Sequence, residues 1–489
     1  MSAPFQGSSS LEEGSGWRDA CGVFGVYAPG EDVARLCFFG LFALQHRGQE
    51  SAGIAVGSGR DLLHYKGMGL AFAVFDEERL AQLDGDVGLG HVRYSTTGGN
   101  TLPNAQPMVA EHRSGPFAVA HNGNLVNYVA LREELEADGF EFHATSDTEV
   151  IANLIARSPE PTLEEAVADA MHHMRGAYSI GVVGPKKLVA ARDPHGVRPL
   201  SLGRLNGSQY VAASEDCAFH VVGAHYVREV EPGEVVAIDE HGLREIQAVP
   251  IGRKSVCIFE YIYFARPDSH IYGKSIYQCR QGMGHLLAQQ ASTEADIVVG
   301  VPESAIPHAI GYAGVSKIPY QEGFIKNRYI FRTFIHPDQR LRELGVRMKL
   351  APLRDTLAGR RVVVVDDSIV RGTTTRQEVA LMRDAGAREV HLRICSPPIQ
   401  FPCFYGVDTS AGRKELIAAR LDVPQICEYL GADSLVYLTL ENLISAIGLP
   451  KRNFCTACFD RKYPIPIPRD VRIGKFDLEK PLAKPHCAL

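Results

Sequence analysis

Residues 360–375, RRVVVVDDSIVRGTTT, restrict the fold more tightly than any other stretch. Four consecutive valines at 362–365 cannot alternate between core and solvent, so their strand is buried on both faces, as in a parallel sheet covered by helices. Asp366 and Asp367 follow at the carboxyl end, where open α/β sheets place ligands. Neighbouring acids there are costly unless something binds them. Arg371, Gly372, Thr373, Thr374 and Thr375 come next, offering backbone amides and hydroxyls at a helix N-terminus, a natural phosphate cradle. The plainer alternative is an ordinary βα turn with acids at its tip. The same rhythm of solid apolar strand and helix recurs in SIYQCRQGMGHLLAQQAS, ADIVVGVPES, REVHLRICSPP and DSLVYLTL, predicting a parallel α/β domain after about residue 250.

The first half has a different rhythm. CGVFGVY, SAGIAVG, VGLGHVRY, PFAVAHNG, AYSIGVV, QYVAAS and EVVAI are short β runs, several following one another without a helix between them. ARLCFFGLFALQH, NLVNYVALREELEADG and DTEVIANLIARS have helical spacing. Antiparallel sheets flanked by helices are expected. The 489 residues therefore divide into a polar leader at 1–20, a domain at 21–250, a parallel-sheet domain at 251–460 and a proline-rich tail at 461–489. With 51 Lys and Arg against 57 Asp and Glu, net charge −6, no basic field attracts nucleic acid or an anionic membrane. No signal peptide and no apolar run near the ~20 residues of a membrane helix is present, so a cytoplasmic protein is expected.

Cys21 stands where the polar leader gives way to a β run. A buried structural cysteine is the bland reading. Polar clusters at the ends of later strands argue for more: Arg93 in GHVRYSTTG, Asn122 and Gly123 in AHNGNLVN, Asp147 in HATSDTEV. In order and wording these resemble the class II glutamine amidotransferases, a branch of the N-terminal-nucleophile hydrolases, which implies a four-layer αββα sandwich. A terminal α-amine has a pKa of about 7.7 to 8.0, so a Cys21 exposed by removal of residues 1–20 carries its own base. Asn122 and Gly123, in a turn after a strand, suit an oxyanion. Arg93 suits the α-carboxylate of glutamine and Asp147 its α-ammonium. The competing readings are a surface ion pair for Arg93 and a helix N-cap for Asp147. Arg47 and Gly48, in ALQHRGQESAG, are assigned a structural role beside the site.

The second half resembles the type I phosphoribosyltransferases. That likeness implies an acid pair, Asp366 and Asp367, gripping ribose hydroxyls through Mg²⁺ with Ser304 of IVVGVPESA, and a 5′-phosphate held by residues 371–375. It also makes 323–352, with Lys326, Arg328, Arg332, Arg340, Arg342, Arg347 and Lys349, a loop that closes over phosphoribosyl pyrophosphate (PRPP). Lys349 is counted among the PRPP-binding residues.

Together the halves resemble the amidophosphoribosyltransferase family: glutamine, PRPP and water giving 5-phosphoribosylamine, glutamate and pyrophosphate, at the entry to purine synthesis. The resemblance implies a homotetramer inhibited by purine nucleotides. An amidotransferase with another acceptor would share only the first half, and a PRPP-sensing regulator only the second.

Cys455 and Cys458 form a C-x-x-C pair able to meet one metal. Cys257 and Cys403 sit where cluster-bearing members of the family have ligands, with Cys395 a rival for the third place. Four thiolates suit zinc or a [4Fe-4S] cluster equally by spacing; the resemblance favours the cluster. Packed, unligated thiols are the alternative. Cys37, Cys217, Cys279, Cys427 and Cys487 are read as structural or incidental.

Overall fold

The computed structural model describes residues 21–95, 98–327, 350–407 and 413–468. The leader, Lys349 with the loop arginines, Cys487 and the end of the tail lie outside the described residues.

The chain divides into two compact units. The first contains a seven-stranded antiparallel sheet built from β1 (Gly22–Tyr27), β2 (Ser51–Ser58), β3 (Asp61–Met68), β4 (Val87–Arg93), β9 (Ser201–Arg204), β10 (Tyr210–Ala213) and β11 (His225–Glu229), in the order β11-β9-β10-β1-β4-β2-β3. A six-stranded antiparallel sheet contains β5 (Met108–His112), β6 (Gly115–Leu125), β7 (Gly176–Val183), β8 (Leu188–Arg192), β12 (Glu234–Asp239) and β13 (Gly242–Gln247), in the order β13-β12-β8-β7-β6-β5. Strand alternation explains how the two stack. Val23 and Tyr27 of β1 join Ala118 and Ala120 of β6 in one buried core between the sheets. Phe24 and Val26 face the other way, onto the helix Val33–Ala43. Phe117 and Val119 face helices Tyr128–Ala137, Asp147–Arg157 and Leu163–His173. Three cores separating helix, sheet, sheet and helix make the expected αββα sandwich.

The first unit also takes in the chain up to Tyr277, Phe401–Arg413 and the described residues from Leu449 onward. The grouping therefore differs from a boundary at 250. Ser255 N–H donates to His195 O (2.8 Å) and Cys257 N–H to Val197 O (3.0 Å). The two-residue strands β14 (Val256–Cys257) and β23 (Phe454–Cys455) pair with each other in parallel. A hairpin of β15 (His270–Ile271) and β16 (Lys274–Ser275) completes this region.

The second unit, Gln278–Gln400 and Lys414–Gly448, holds the parallel sheet: β17 (Ile297–Gly300), β20 (Arg361–Asp366), β21 (Glu389–Ile394) and β22 (Ser434–Tyr437), in the order β17-β20-β21-β22. Val362 and Val364 pack into a core with Val379 and Met382 of the helix Thr373–Asp384, and Val363 and Val365 are fully buried too. The valine run is thus covered on both faces, as its composition requires. β18 (Phe324–Lys326) and β19 (Leu350–Pro352) pair antiparallel, joining the two ends of the expected loop.

Candidate active site

Cys21 precedes β1, one step beyond the pair Gly22 and Val92 of β4, which brings the thiol to the end of β4 where Arg93 lies. Its Sγ donates to Tyr94 O at 3.2 Å and accepts from Tyr94 N–H at 3.4 Å. Burial pushes the thiol up; the Tyr94 backbone contact and the Arg93 guanidinium pull it back. Arg93 is itself 2 % exposed, and its Nη1 donates to Gly99 O at 3.1 Å. Burial lowers its pKa, whereas Cys21, Glu50 and Asp147 act in the opposite direction. A buried guanidinium in this position suits a planar carboxylate.

Asn122 and Gly123 do not lie in a turn. β6 runs on to Leu125, and Asn122 and Gly123 pair with Ser179 and Tyr178 of β7. The pleat still aims Asn122 inward, and among the described residues neither Nδ2 nor Oδ1 of this fully buried amide has a hydrogen-bond partner. An unsatisfied buried amide costs about 1–3 kcal/mol, so a ligand that met it would bind with that advantage. Asp147 is the first residue of its helix, but the cap is Ser146, whose hydroxyl accepts from Thr148 N–H. Asp147 Oδ2 accepts from Leu125 N–H at 3.0 Å, and His121 Nδ1 lies 3.7 Å away.

At the parallel sheet, Ser304 donates to Asp367 Oδ2 at 2.6 Å and Ser368 to Asp367 Oδ1 at 2.6 Å. Asp367 N–H donates to Asp366 Oδ1 at 2.9 Å. Burial pushes both carboxyls up, and Asp367 adds to the rise at Asp366. Glu378, on the helix Thr373–Asp384, is pushed up to about 7 by burial and by Asp367. Among the described residues no group of three or more His, Cys, Asp or Glu side chains is disposed to hold a metal ion. The pair fits a cation that takes further ligands from phosphate or hydroxyl oxygens, as Mg²⁺ commonly does. Gly372 occupies the N-cap of the helix Thr373–Asp384, so Thr373, Thr374 and Thr375 form its first turn. Arg371 pairs with Glu415 at 2.6 Å, and Lys326 with Glu303 at 3.3 Å.

The four cysteines expected to act together all belong to the first unit. Cys257 and Cys455 are register partners in β14 and β23. Cys458 follows in the short helix Ala457–Asp460, its carbonyl accepting from Phe401 N–H at 3.1 Å, and Cys403 Sγ accepts from Tyr405 N–H at 3.3 Å. Burial pushes Cys257 up to about 12, and Cys403 adds to it. Cys458 is raised by burial and by the charges of Cys455, Cys257 and Cys403. Cys395 belongs to the other unit: it follows β21, and its N–H donates to Asp366 O at 2.9 Å.

Residues 91–221 match the glutamine amidotransferase domain family. An amidophosphoribosyltransferase of Synechococcus elongatus is 51% identical over 466 residues, covering 94% of each chain. One from Methanothermobacter thermautotrophicus is 47% identical over 458 residues, 93% of this chain and 96% of its own. The solved glutamine PRPP amidotransferase of B. subtilis, complexed with ADP and GMP, superposes with a TM-score of 0.86 at 47% identity, covering 92% of this chain and 99% of that one. The chain belongs to the amidophosphoribosyltransferase family.

Within this family frame, a buried ionic network behind Cys21 was not legible in the sequence. Arg47 Nε donates to Cys21 O at 3.1 Å, and its Nη2 pairs with Glu260 Oε1 at 2.9 Å. Glu215 pairs with the same guanidinium, and Arg198 Nη1 reaches Glu260 Oε1 at 3.2 Å. Although burial opposes ionisation, Glu260 and Glu215 outweigh it and raise Arg47 above its usual value. Such a network fixes geometry more than it adds stability. Arg47 thereby holds the Cys21 carbonyl directly, in keeping with a structural role beside the site. Its acids come from positions more than 150 residues away, with no local signal to mark them.

Proposed function

We propose that Cys21, once residues 1–20 are removed, takes nitrogen from glutamine, and that the parallel-sheet unit holds the PRPP that receives it. The α-amine of Cys21 accepts the thiol proton, and the thiolate attacks the side-chain carbonyl of glutamine. Asn122 Nδ2 and the Gly123 N–H stabilise the oxyanion, a fixed donor of this kind contributing about 2.7–4 kcal/mol. Ammonia leaves, and water releases glutamate from the thioester. Arg93 holds the substrate carboxylate and Asp147 its ammonium. The observation that carries this reading is the buried, unpartnered Asn122 amide on the strand whose Leu125 N–H is held by Asp147. Asn122→Ala should lower glutaminase kcat about 10²–10³-fold and change KM little. Arg93→Lys, which loses the bidentate fork, should instead raise KM for glutamine about 10-fold or more; steady-state glutaminase assays separate the two.

Asp366 and Asp367 grip the ribose hydroxyls, Ser304 orients Asp367, and residues 371–375 cradle the 5′-phosphate. When bound, Mg²⁺ would neutralise the leaving pyrophosphate. Lys349 and its loop are assigned to the pyrophosphate end. The products are 5-phosphoribosylamine, glutamate and pyrophosphate.

Cys257, Cys403, Cys455 and Cys458 are inferred to hold a [4Fe-4S] cluster, whose chemistry here would be cross-linking of four thiolates. The Cys257–Cys455 register and the placement of all four cysteines in one unit support this, although among the described residues the thiols are not gathered into a metal-binding group. Protein purified anaerobically should contain about four iron and four sulfide per chain; colourless, zinc-loaded protein would refute the assignment. A cytoplasmic homotetramer inhibited by purine nucleotides completes the proposal. The B. subtilis relative complexed with ADP and GMP supports the inhibition, and among the described residues no helix is long and apolar enough to cross a membrane.

A further inference from the structure

The end of β6 is clamped from both sides. At Gly123, φ is +150°, and an added Cβ would lie 2.0 Å from Ala177 O on β7. On the other side an added Cβ at Gly406, whose φ is +92°, would lie 2.8 Å from both C and O of Gly123. Two backbones meet here with no room for a side chain at either position. The next residue, Asn124, donates from Nδ2 to Phe404 O at 3.0 Å. Residues 401–407 thus lie as a strap directly against the strand that carries Asn122 and Gly123.

The strap is anchored elsewhere. Arg198 donates to Tyr405 O from Nε (3.0 Å) and Nη2 (2.9 Å). Tyr405 OH donates to Ile465 O at 2.6 Å and accepts from Ile465 N–H at 3.1 Å. Tyr463 OH donates to Pro402 O at 2.7 Å. Arg198 also reaches Glu260 at 3.2 Å, and Glu260 holds the Arg47 guanidinium that donates to Cys21 O at 3.1 Å. Arg198 therefore holds the strap directly and is linked through Glu260 and Arg47 to the Cys21 carbonyl.

We propose that Asn124 and Gly406 are positioning residues for glutamine cleavage, holding the end of β6 so that the Asn122 amide and the Gly123 N–H are fixed where the oxyanion forms. This rests on the assignment of those two donors made above. Fixed dipoles stabilise a developing charge only when they need not reorganise, and a 1 Å misplacement costs about 10²-fold in rate. Substrate affinity depends on Arg93 and Asp147 instead, so the effect falls on kcat.

The test uses full-length Gly406→Ala, Asn124→Ala and Asn122→Ala. Each is assayed for glutaminase kcat and KM, for inhibition by glutamate γ-semialdehyde, whose adduct with the thiolate places an oxyanion in the same position, and for ammonia-dependent synthesis. Gly406→Ala should lower kcat about 10-fold or more and Asn124→Ala about 5-fold. Aldehyde affinity should weaken by the same factors, while KM and ammonia-dependent synthesis stay within about twofold. If Gly406→Ala does not fold, Asn124→Ala decides. A lowered melting temperature with unchanged kcat and aldehyde affinity would overturn the proposal, as would a rise in KM alone. Loss in Asn122→Ala without loss in the other two overturns the positioning role by itself; no loss in Asn122→Ala overturns the oxyanion assignment and the proposal with it.

Discussion

Cys21→Ser is expected to abolish glutamine-dependent synthesis, lowering kcat at least about 10³-fold, while synthesis from high ammonia stays within about twofold of the parent. Burial already raises the thiol above its usual range, so even the sulfur depends on its base and on Arg93 to ionise. A hydroxyl in the same position is far harder to deprotonate. In the proposed division of labour the synthetic step uses the acids of the other unit and needs no nucleophile at position 21. Paired assays with glutamine and with ammonium, on protein whose mature mass has been checked, measure both numbers. A serine variant that still consumes glutamine would remove Cys21 from the chemistry.

Asp366→Asn combined with Asp367→Asn should abolish synthesis from either nitrogen source, by at least about 10³-fold, because the grip proposed for the ribose and its Mg²⁺ would be lost. Basal glutaminase activity should persist. Stability should move the other way. Both carboxyls are pushed up by burial, so in the absence of ligand their ionisation opposes folding. A raised folded pKa means a stabilising protonated form that is lost as pH rises above the ordinary 3.8. The ligand-free double variant should therefore melt at or above the parent at neutral pH, and the gap should close in acid. Calorimetry without Mg²⁺ checks this, and a large destabilisation would contradict it.

What the sequence made legible follows the range of its signals. The valine run declared its two-sided burial because composition alone encodes it. The seven β runs of the first half all appear as strands, since alternation is local. The sequence reading places Asn122 and Gly123 in a turn, and the structure gives them a different setting. HNG has the composition of a turn, yet pairing with β7 carries the strand through it to Leu125. SDTEV looked like a cap led by Asp147, whereas Ser146 caps and frees the carboxylate for Leu125 N–H. Least legible were contacts between distant segments. The pairing of Cys257 with Cys455, Arg198 with Tyr405 O and Gly406 with Gly123 leaves no trace in either partner's neighbourhood. These contacts also bring 251–277 and 401–407 into the sandwich unit, across a boundary that strand rhythm alone put near residue 250.

The central claim is that one residue supplies both the attacking sulfur and the base. Intact-mass and N-terminal sequence analysis of active enzyme purified from its own host measures it directly. The account predicts a chain beginning at Cys21 with an unmodified α-amine. Fully glutamine-active enzyme that retains Ala20, or whose α-amine is blocked, would contradict it.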